Sequence, residues 1–303
     1  MSNSVKVRTI YNHIVCELKD FFKKARRENA VIGLSGGIDS ALVAAITVDA
    51  LGPNSVQGIS MPSQFTSRLS IDDAKELSKN LSMRDLLFIP IDDICFAVNS
   101  AMTDNIDGYS RLKTDTTEEN IQARARMIVL HAFSNKYNAL VMNTCNLTED
   151  LVGYATMYGD AAGAISPLGN IGKMMVYSLA RYRNSLCEKG AEVIPESILT
   201  KAPTAELKEG QTDEESLGFS YGKIDPLTRL IHFYNETTLT GLENMNIEGV
   251  LDFVFEQSIR LMKMSFCPSM VLSVARMIKS NAFKLKQAPP SIRIPDWMYG
   301  LED

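Results

Sequence analysis

Apolar and polar positions change period several times along the chain, and the changes divide it into elements. Val5, Ile10, Ile14, Leu18, Phe21 and Phe22 recur at helical spacing and predict a helix over residues 5–27, closed by the basic cluster Lys23, Lys24, Arg26 and Arg27. A short apolar run, Ala30 to Leu34, stops at Ser35-Gly36-Gly37, and helical spacing resumes with Ala41, Leu42, Val43, Ala45 and Ile46. Ser55 to Pro62 reads as a second strand, Ser63 to Ser70 as a polar loop, Asp72 to Leu81 as a helix, and Leu86 to Ile91 as a third strand. Residues 103–119 are polar and irregular. Thr116 and Glu119 have the spacing of a capping box for a helix running to about Tyr137, with Ile121, Ala125, Ile128, Ala132 and Phe133 as its apolar face. Asn120 and Arg124 fall one turn apart on another face, open to a ligand, a partner subunit or solvent. Ala139 to Thr144 is a fourth strand and Ile194 to Ile198 a short final one.

Strands alternating with helices imply parallel crossovers, hence an α/β fold: a parallel five-stranded sheet with helices on both faces. In such sheets ligands bind beyond the carboxyl ends of the strands, where residues 35–40 lie. Thr200 to Gly218 carries proline, glycine, lysine and acids without periodicity, and reads either as a mobile lid or as disorder. Asp225 to about Ala282 is helical, Lys284 to Pro295 is an extended tail, and Trp297 is its anchor. With no internal repeat and no linker, the reading is one domain over 1–303, a core of about 8–224 with a helical C-terminal extension of about 225–303.

Residues 30–46 carry the chemistry. An apolar strand, a glycine turn and a helix start together present backbone N–H groups and a positive dipole end to an anion. Gly36 and Gly37 permit close backbone approach, and the hydroxyls of Ser35 and Ser40 add polar groups. Asp39 would repel a bare phosphate, so its natural partner is a divalent cation already bound to one. The loop is not Walker A, which requires a lysine, and it lacks the third glycine of the dinucleotide fingerprint. The competing reading is an ordinary tight turn. Beyond the fourth strand come Thr144, Cys145 to Glu149, Tyr158 to Asp160, Pro167 and Lys173, placed to complete the same site. Glu149 and Asp39 could share one magnesium ion if phosphate and water oxygens fill the remainder.

Composition narrows the class. At 45% hydrophobic and 22% charged, the 303 residues are ordinary for a globular protein. A net charge of −5 without a basic stripe argues against nucleic acid as the partner. No apolar run suits a membrane span and the N-terminus lacks a signal-type apolar stretch. Five scattered cysteines, none in a Cys-x-x-Cys pair, point to reduced thiols in the cytoplasm. Three isolated histidines give little support to histidine-based nucleophilic catalysis.

The Ser-Gly-Gly-x-Asp-Ser loop resembles that of the N-type ATP pyrophosphatases, which cleave ATP between its α and β phosphates. Further stretches make the chain similar to the NAD synthetase family within that group: Met61-Pro62-Ser63-Gln64, Glu119 to Arg124, Tyr154 to Asp160, Lys201 to Leu207, Gln211 to Gly218 and Lys284 to Pro290. The similarity runs from about residue 8 to the C-terminus and is greatest to the synthetase half of the glutamine-dependent form, here read without a glutaminase domain.

The resemblance implies an adenine nucleotide alpha hydrolase-like, Rossmann-like fold and a ligase. That ligase amidates deamido-NAD with ammonia and ATP, in the presence of Mg2+, releasing AMP and pyrophosphate. It also implies residue roles: Gly33, Ser35, Gly36, Gly37 and Ser40 on ATP phosphates, Thr144, Lys173 and Thr204 on ATP, and Asp39 and Glu149 on magnesium. Asp39 and Lys173 then carry the catalysis. Arg124, Asp160 and Lys284 fall to deamido-NAD, at what in the family is a homodimer interface. Met157 and Ala164 depart from the ammonia-dependent pattern, where a lysine and an aspartate contact the dinucleotide; the glutamine-dependent form also lacks those two side chains, so the departures bear on the site assignment more than on the activity. Leu147 replaces a lysine common in the glutamine-dependent form. A separate glutaminase as ammonia source is left open. The alternatives are another pyrophosphate-loop amidotransferase or thiolase, and a nucleotide-binding regulator without turnover.

Overall fold

The computed structural model describes residues 3–107, 109, 115–188, 191–238, 241–257, 266–295 and 298. In chain order these form α1 (Asn3–Ala25), β1 (Asn29–Gly33), α2 (Ile38–Leu51), β2 (Val56–Ser60), α3 (Arg68–Asn80), β3 (Leu87–Phe88), α4 (Asp92–Asn105), α5 (Thr116–Tyr137), β4 (Ala139–Val141) and α6 (Leu147–Val152). There follow α7 (Lys173–Ser185), α8 (Glu196–Thr200), α9 (Asp213–Leu217), α10 (Tyr221–Thr238), α11 (Ile247–Gln257) and α12 (Pro268–Leu285).

The sheet is parallel with order β3-β2-β1-β4, pairing Ala30 with both Val56 and Leu140. Alternation along β1 sends Ala30 and Ile32 to one core and Val31 to the other. The first core is closed by α1, α2 and α7, the second by α5. Helix α2 is buried nearly all round because it lies between the sheet and two other helices, which explains its unbroken apolar run from Ala41 to Ile46. A third core joins α6 to α10, α11 and α12. The C-terminal helices thus pack on the short helix that carries Glu149, and the boundary expected at 224/225 falls inside α10.

Several expectations need correction. Among the described residues the sheet has four strands, not five. The segment expected to supply the fifth turns into α8 after Pro195, which has no N–H to give a ladder. The β4 edge is continued instead by isolated parallel bridges, Met142 to Ile165 and Ser166 to Ser291. Helix α3 begins at Arg68, capped by Ser67, inside the expected loop. The α5 capping box is Asp115 with Glu118, one residue ahead of the Thr116–Glu119 pair, an aspartate being the stronger cap. Helix α5 keeps Ala125 of the expected face in the core and packs Phe133 against it, but adds Ala123, Met127 and Leu130, while Ile128 is 58% exposed. Residues 200–218, expected to lack regular structure, contain the short helix α9. Trp297 and residues 110–114 lie outside the described residues.

Candidate nucleotide site

β1 delivers its chain end to the turn Ser35-Gly36-Gly37, and α2 starts immediately at Ile38. Gly36 has φ +78, and a Cβ there would collide with the Ser70 carbonyl in the first turn of α3, so only glycine fits. The two serine hydroxyls are spent on shaping the turn. Ser35 Oγ accepts from the Gly37 N–H at 3.1 Å and lies 3.1 Å from Ser40 Oγ, which donates to the Gly37 carbonyl. Gly37 provides no side-chain cap, leaving the positive end of α2 to an anion.

Asp39 and Glu149 converge on one ammonium group. Lys173 Nζ donates to Asp39 Oδ2 at 2.6 Å and to Glu149 Oε1 at 2.9 Å, with the lysine side chain 2% exposed. Asn146 holds the other Asp39 oxygen at 2.9 Å and caps α6, which fixes Glu149. Burial pushes the Glu149 carboxyl up to about 8, an effect opposed by Lys173 and reinforced by Asp39. Burial alone would lower Lys173, but the two carboxylates overcome it and hold the ammonium well above its ordinary value. The two ion pairs thus hold Lys173 as the ammonium. Tyr221 lies beneath, its ring centroid 4.9 Å from Lys173 Nζ and its hydroxyl donating to Asp213 at 3.2 Å.

A cavity of about 240 Å³ opens from this cluster along the carboxyl ends of the strands. Gly33, Ser35, Gly37, Asp39, Ser40, Thr144, Glu149, Lys173 and Thr204 all line it, so these residues singled out for ATP and metal share one space, together with Asp160 from the set assigned to the dinucleotide. Gly36 shapes the loop behind. Asp160 is turned inward, its carboxylate accepting from the Thr156 N–H at 2.7 Å; burial raises its carboxyl, partly offset by that bond. Met61, Met127 and Leu130 form an apolar wall, suited to a flat ring. Thr204 stands on a strap that Gln211 closes: Thr204 Oγ1 donates to the Gln211 carbonyl and the Leu207 N–H to Gln211 Oε1. Glu206 ties the strap to α3 through Ser70 Oγ at 2.8 Å.

Arg124 and Lys284 do not line this cavity. Both bind carbonyls of the neighbouring loop, Arg124 Nε that of Met157 at 3.2 Å and Lys284 Nζ those of Gly153 and Ala155 at 2.7 and 3.1 Å. Sequence reasoning missed Arg126, Asp213 and Tyr221. Arg126, whose Nε donates to the Met61 carbonyl, is two residues from Arg124 and therefore on another helix face, a signal that was available. Asp213 and Tyr221 come from the supposed loop and the C-terminal helices, and nothing local marks them.

Among the described residues no group of three or more His, Cys, Asp or Glu side chains could hold a metal ion. The two carboxylates that meet on Lys173 are a donor set of another kind. They converge on one cationic position and leave the other ligands to phosphate and water, which suits Mg2+ and its habit of binding through one or two carboxylates.

Parallel α/β layers with a glycine turn and a carboxylate pair at the strand ends give the frame of an α/β protein whose candidate site lies beyond the carboxyl ends of its strands. A sequence model described as NAD synthase matches residues 10–288, and the chain belongs to that family. It is 38% identical over 296 residues to the glutamine-dependent NAD(+) synthetase of Thermotoga maritima, and 37% over 298 to that of Aquifex aeolicus. Each match covers 98% of this chain and 47% of the relative, so the chain spans about half the length of the curated relatives it matches. Among solved structures it resembles an NMN synthetase from Francisella tularensis (30% identity, TM-score 0.65, 86% of this chain and 98% of that one). It also resembles an NH3-dependent NAD synthetase from Campylobacter jejuni (26%, TM-score 0.65, 92% and 95%). No described helix is long and apolar enough to cross a membrane.

Proposed function

We propose that the chain amidates deamido-NAD to NAD in an ATP-dependent reaction with ammonia as the nitrogen donor. The observation that carries this reading is the meeting of Asp39, Glu149 and Lys173 in the cavity behind the phosphate loop, within a chain of the NAD synthase family. A carboxylate resists ammonia because its leaving group would be oxide. One carboxylate oxygen therefore attacks the α-phosphorus of ATP, the bond to the bridging oxygen breaks, and pyrophosphate leaves. Ammonia then adds to the acyl carbon, loses a proton, and AMP departs with the oxygen the acid supplied.

The chain's own groups support these steps by holding and orienting. The α2 N-terminus and the Ser35–Ser40 turn take the β and γ phosphates, and Lys173 offsets charge building on the departing pyrophosphate. Thr144 and Thr204 frame the nucleotide, and the wall of Met61, Met127 and Leu130 takes its base. Asp39 and Glu149 would hold Mg2+, which would supply neutralising charge to the triphosphate. These steps lean on positioning and charge, and little side-chain acid–base work is required.

Arg124, Asp160 and Lys284 are assigned to the acid substrate, completed by a second copy of the chain in a homodimer. Five free thiols fit a cytoplasmic setting. The NMN synthetase likeness makes the mononucleotide acid the second substrate to test. Purified protein given ATP, Mg2+, ammonium and each acid should form AMP and amide in equal amounts from the dinucleotide. Amide from the mononucleotide alone would move the substrate assignment. ADP as the product would overturn the reaction.

A further inference from the structure

Helix α7 begins at Lys173, yet its cap residue is Gly172, which has no side chain to satisfy the first backbone N–H groups. Two other segments provide the acceptors. The Lys173 N–H donates to Thr148 Oγ1 at 3.3 Å, and the Met174 N–H to Asp225 Oδ2 at 3.2 Å. Thr148 Oγ1 in turn donates to Asp225 Oδ1. Asp225 and Thr148 are both buried, and a Cβ at position 172 would collide with the Asp225 carboxylate, so glycine there is a condition of the arrangement.

One carboxylate on α10 therefore joins the starts of two helices. Thr148 immediately precedes Glu149 on α6, and Met174 immediately follows Lys173 on α7. Four residues before Asp225, on the same face of α10, Tyr221 places its ring under the Lys173 ammonium. Helix α10 thus meets the lysine's head through the Tyr221 ring and reaches its backbone end indirectly, through Thr148 and the Met174 N–H. Asp225 itself does not line the cavity.

We propose that Asp225 is a positioning residue for Lys173: by capping α7 from another helix it fixes where the ammonium stands against Asp39, Glu149 and the phosphates. The proposal rests on the reading of Lys173 as a cation that meets ATP. A buried carboxylate with only a packing role would cost stability equally whether or not the lysine is present. A positioning residue loses its effect on ligand binding once the group it positions is gone.

The test is a cycle on the whole protein with Asp225→Asn, Lys173→Met and the double variant, each checked for a cooperative melt. ATP affinity is read by calorimetry in the presence of Mg2+. D225N should weaken ATP binding on the order of tenfold in the otherwise native chain and less than twofold beside K173M. Equal losses in the two backgrounds, or none in the first, would overturn the proposal. If D225N does not melt cooperatively, Thr148→Val, which removes the shared hydroxyl and keeps the shape, runs the same cycle with the same expectations. NMR of the lysine ammonium groups gives an answer independent of ATP. The Lys173 signal, protected from exchange by burial and two ion pairs, should be lost or shifted in the capping variant. An unchanged signal would overturn the proposal even if ATP failed to bind, and absent ATP binding in the unmodified chain would sink the nucleotide reading on its own.

Discussion

Lys173 and Asp39 meet at 2.6 Å although 134 positions separate them. The contact joins the first turn of α2 to the first turn of α7, so the phosphate loop and the lysine are assembled by one ion pair inside the protein. Removing the charge of Asp39 takes away half of that pair and one of the two carboxylates assigned to Mg2+. Asp39→Asn should lower pyrophosphate release by on the order of 100-fold or more at saturating Mg2+. A coupled pyrophosphate assay checks it, and near-native turnover would remove the metal role.

Gly36 and Gly210 separate backbone strain from collision. Both have positive φ, but a Cβ at Gly36 meets the Ser70 carbonyl whereas one at Gly210 meets nothing within 4 Å. Gly210→Ala should cost about 1 kcal/mol and Gly36→Ala about 3 kcal/mol, with ATP binding lost only in the second. Denaturant unfolding and an ATP titration of the two variants read both effects.

Tyr221 touches Lys173 through its ring and Asp213 through its hydroxyl. Tyr221→Phe keeps the ring beneath the ammonium and should weaken ATP binding only about threefold. Tyr221→Leu removes the cation–ring contact and should weaken it roughly tenfold or more. Equal affinities in the two variants would mean that the ring contributes nothing.

Asp150 gives the stability a pH dependence. Burial raises its carboxyl from the usual 3.8 to about 7, with a smaller push from Asp160. The folded state binds this proton more tightly than the unfolded chain does. The stabilisation is therefore complete below the unfolded value and is lost as pH rises through the folded one. Asp150→Asn should remove up to about 4 kcal/mol of that loss and be the more stable protein at pH 8. Melting curves of both proteins across this range test the sign.

The phosphate loop was legible because its signal is local: an apolar run, two glycines and a helix start within a few positions. The same holds for the parallel sheet, whose first, second and fourth strands are apolar and sit where expected. The fifth strand failed because Ile194 and Ile198 resemble strand residues, while the proline between them decides the backbone. The altered face of α5 has a different cause. Ile128 and Met127 are equally apolar, and only the sheet beneath the helix settles which one is buried. Asp225 and Tyr221 were invisible as site residues because their partners, Thr148 and Lys173, are brought to them by the third core and not by any sequence spacing.

The most direct test of the central claim follows one oxygen atom. Deamido-NAD labelled with heavy oxygen in its carboxylate is incubated with ATP, Mg2+, ammonium and the protein, and the products are weighed by mass spectrometry. If the acid is adenylated beside the phosphate loop, one labelled oxygen appears in AMP and none in pyrophosphate. Label in pyrophosphate, or amide formed with unlabelled AMP, would contradict the account.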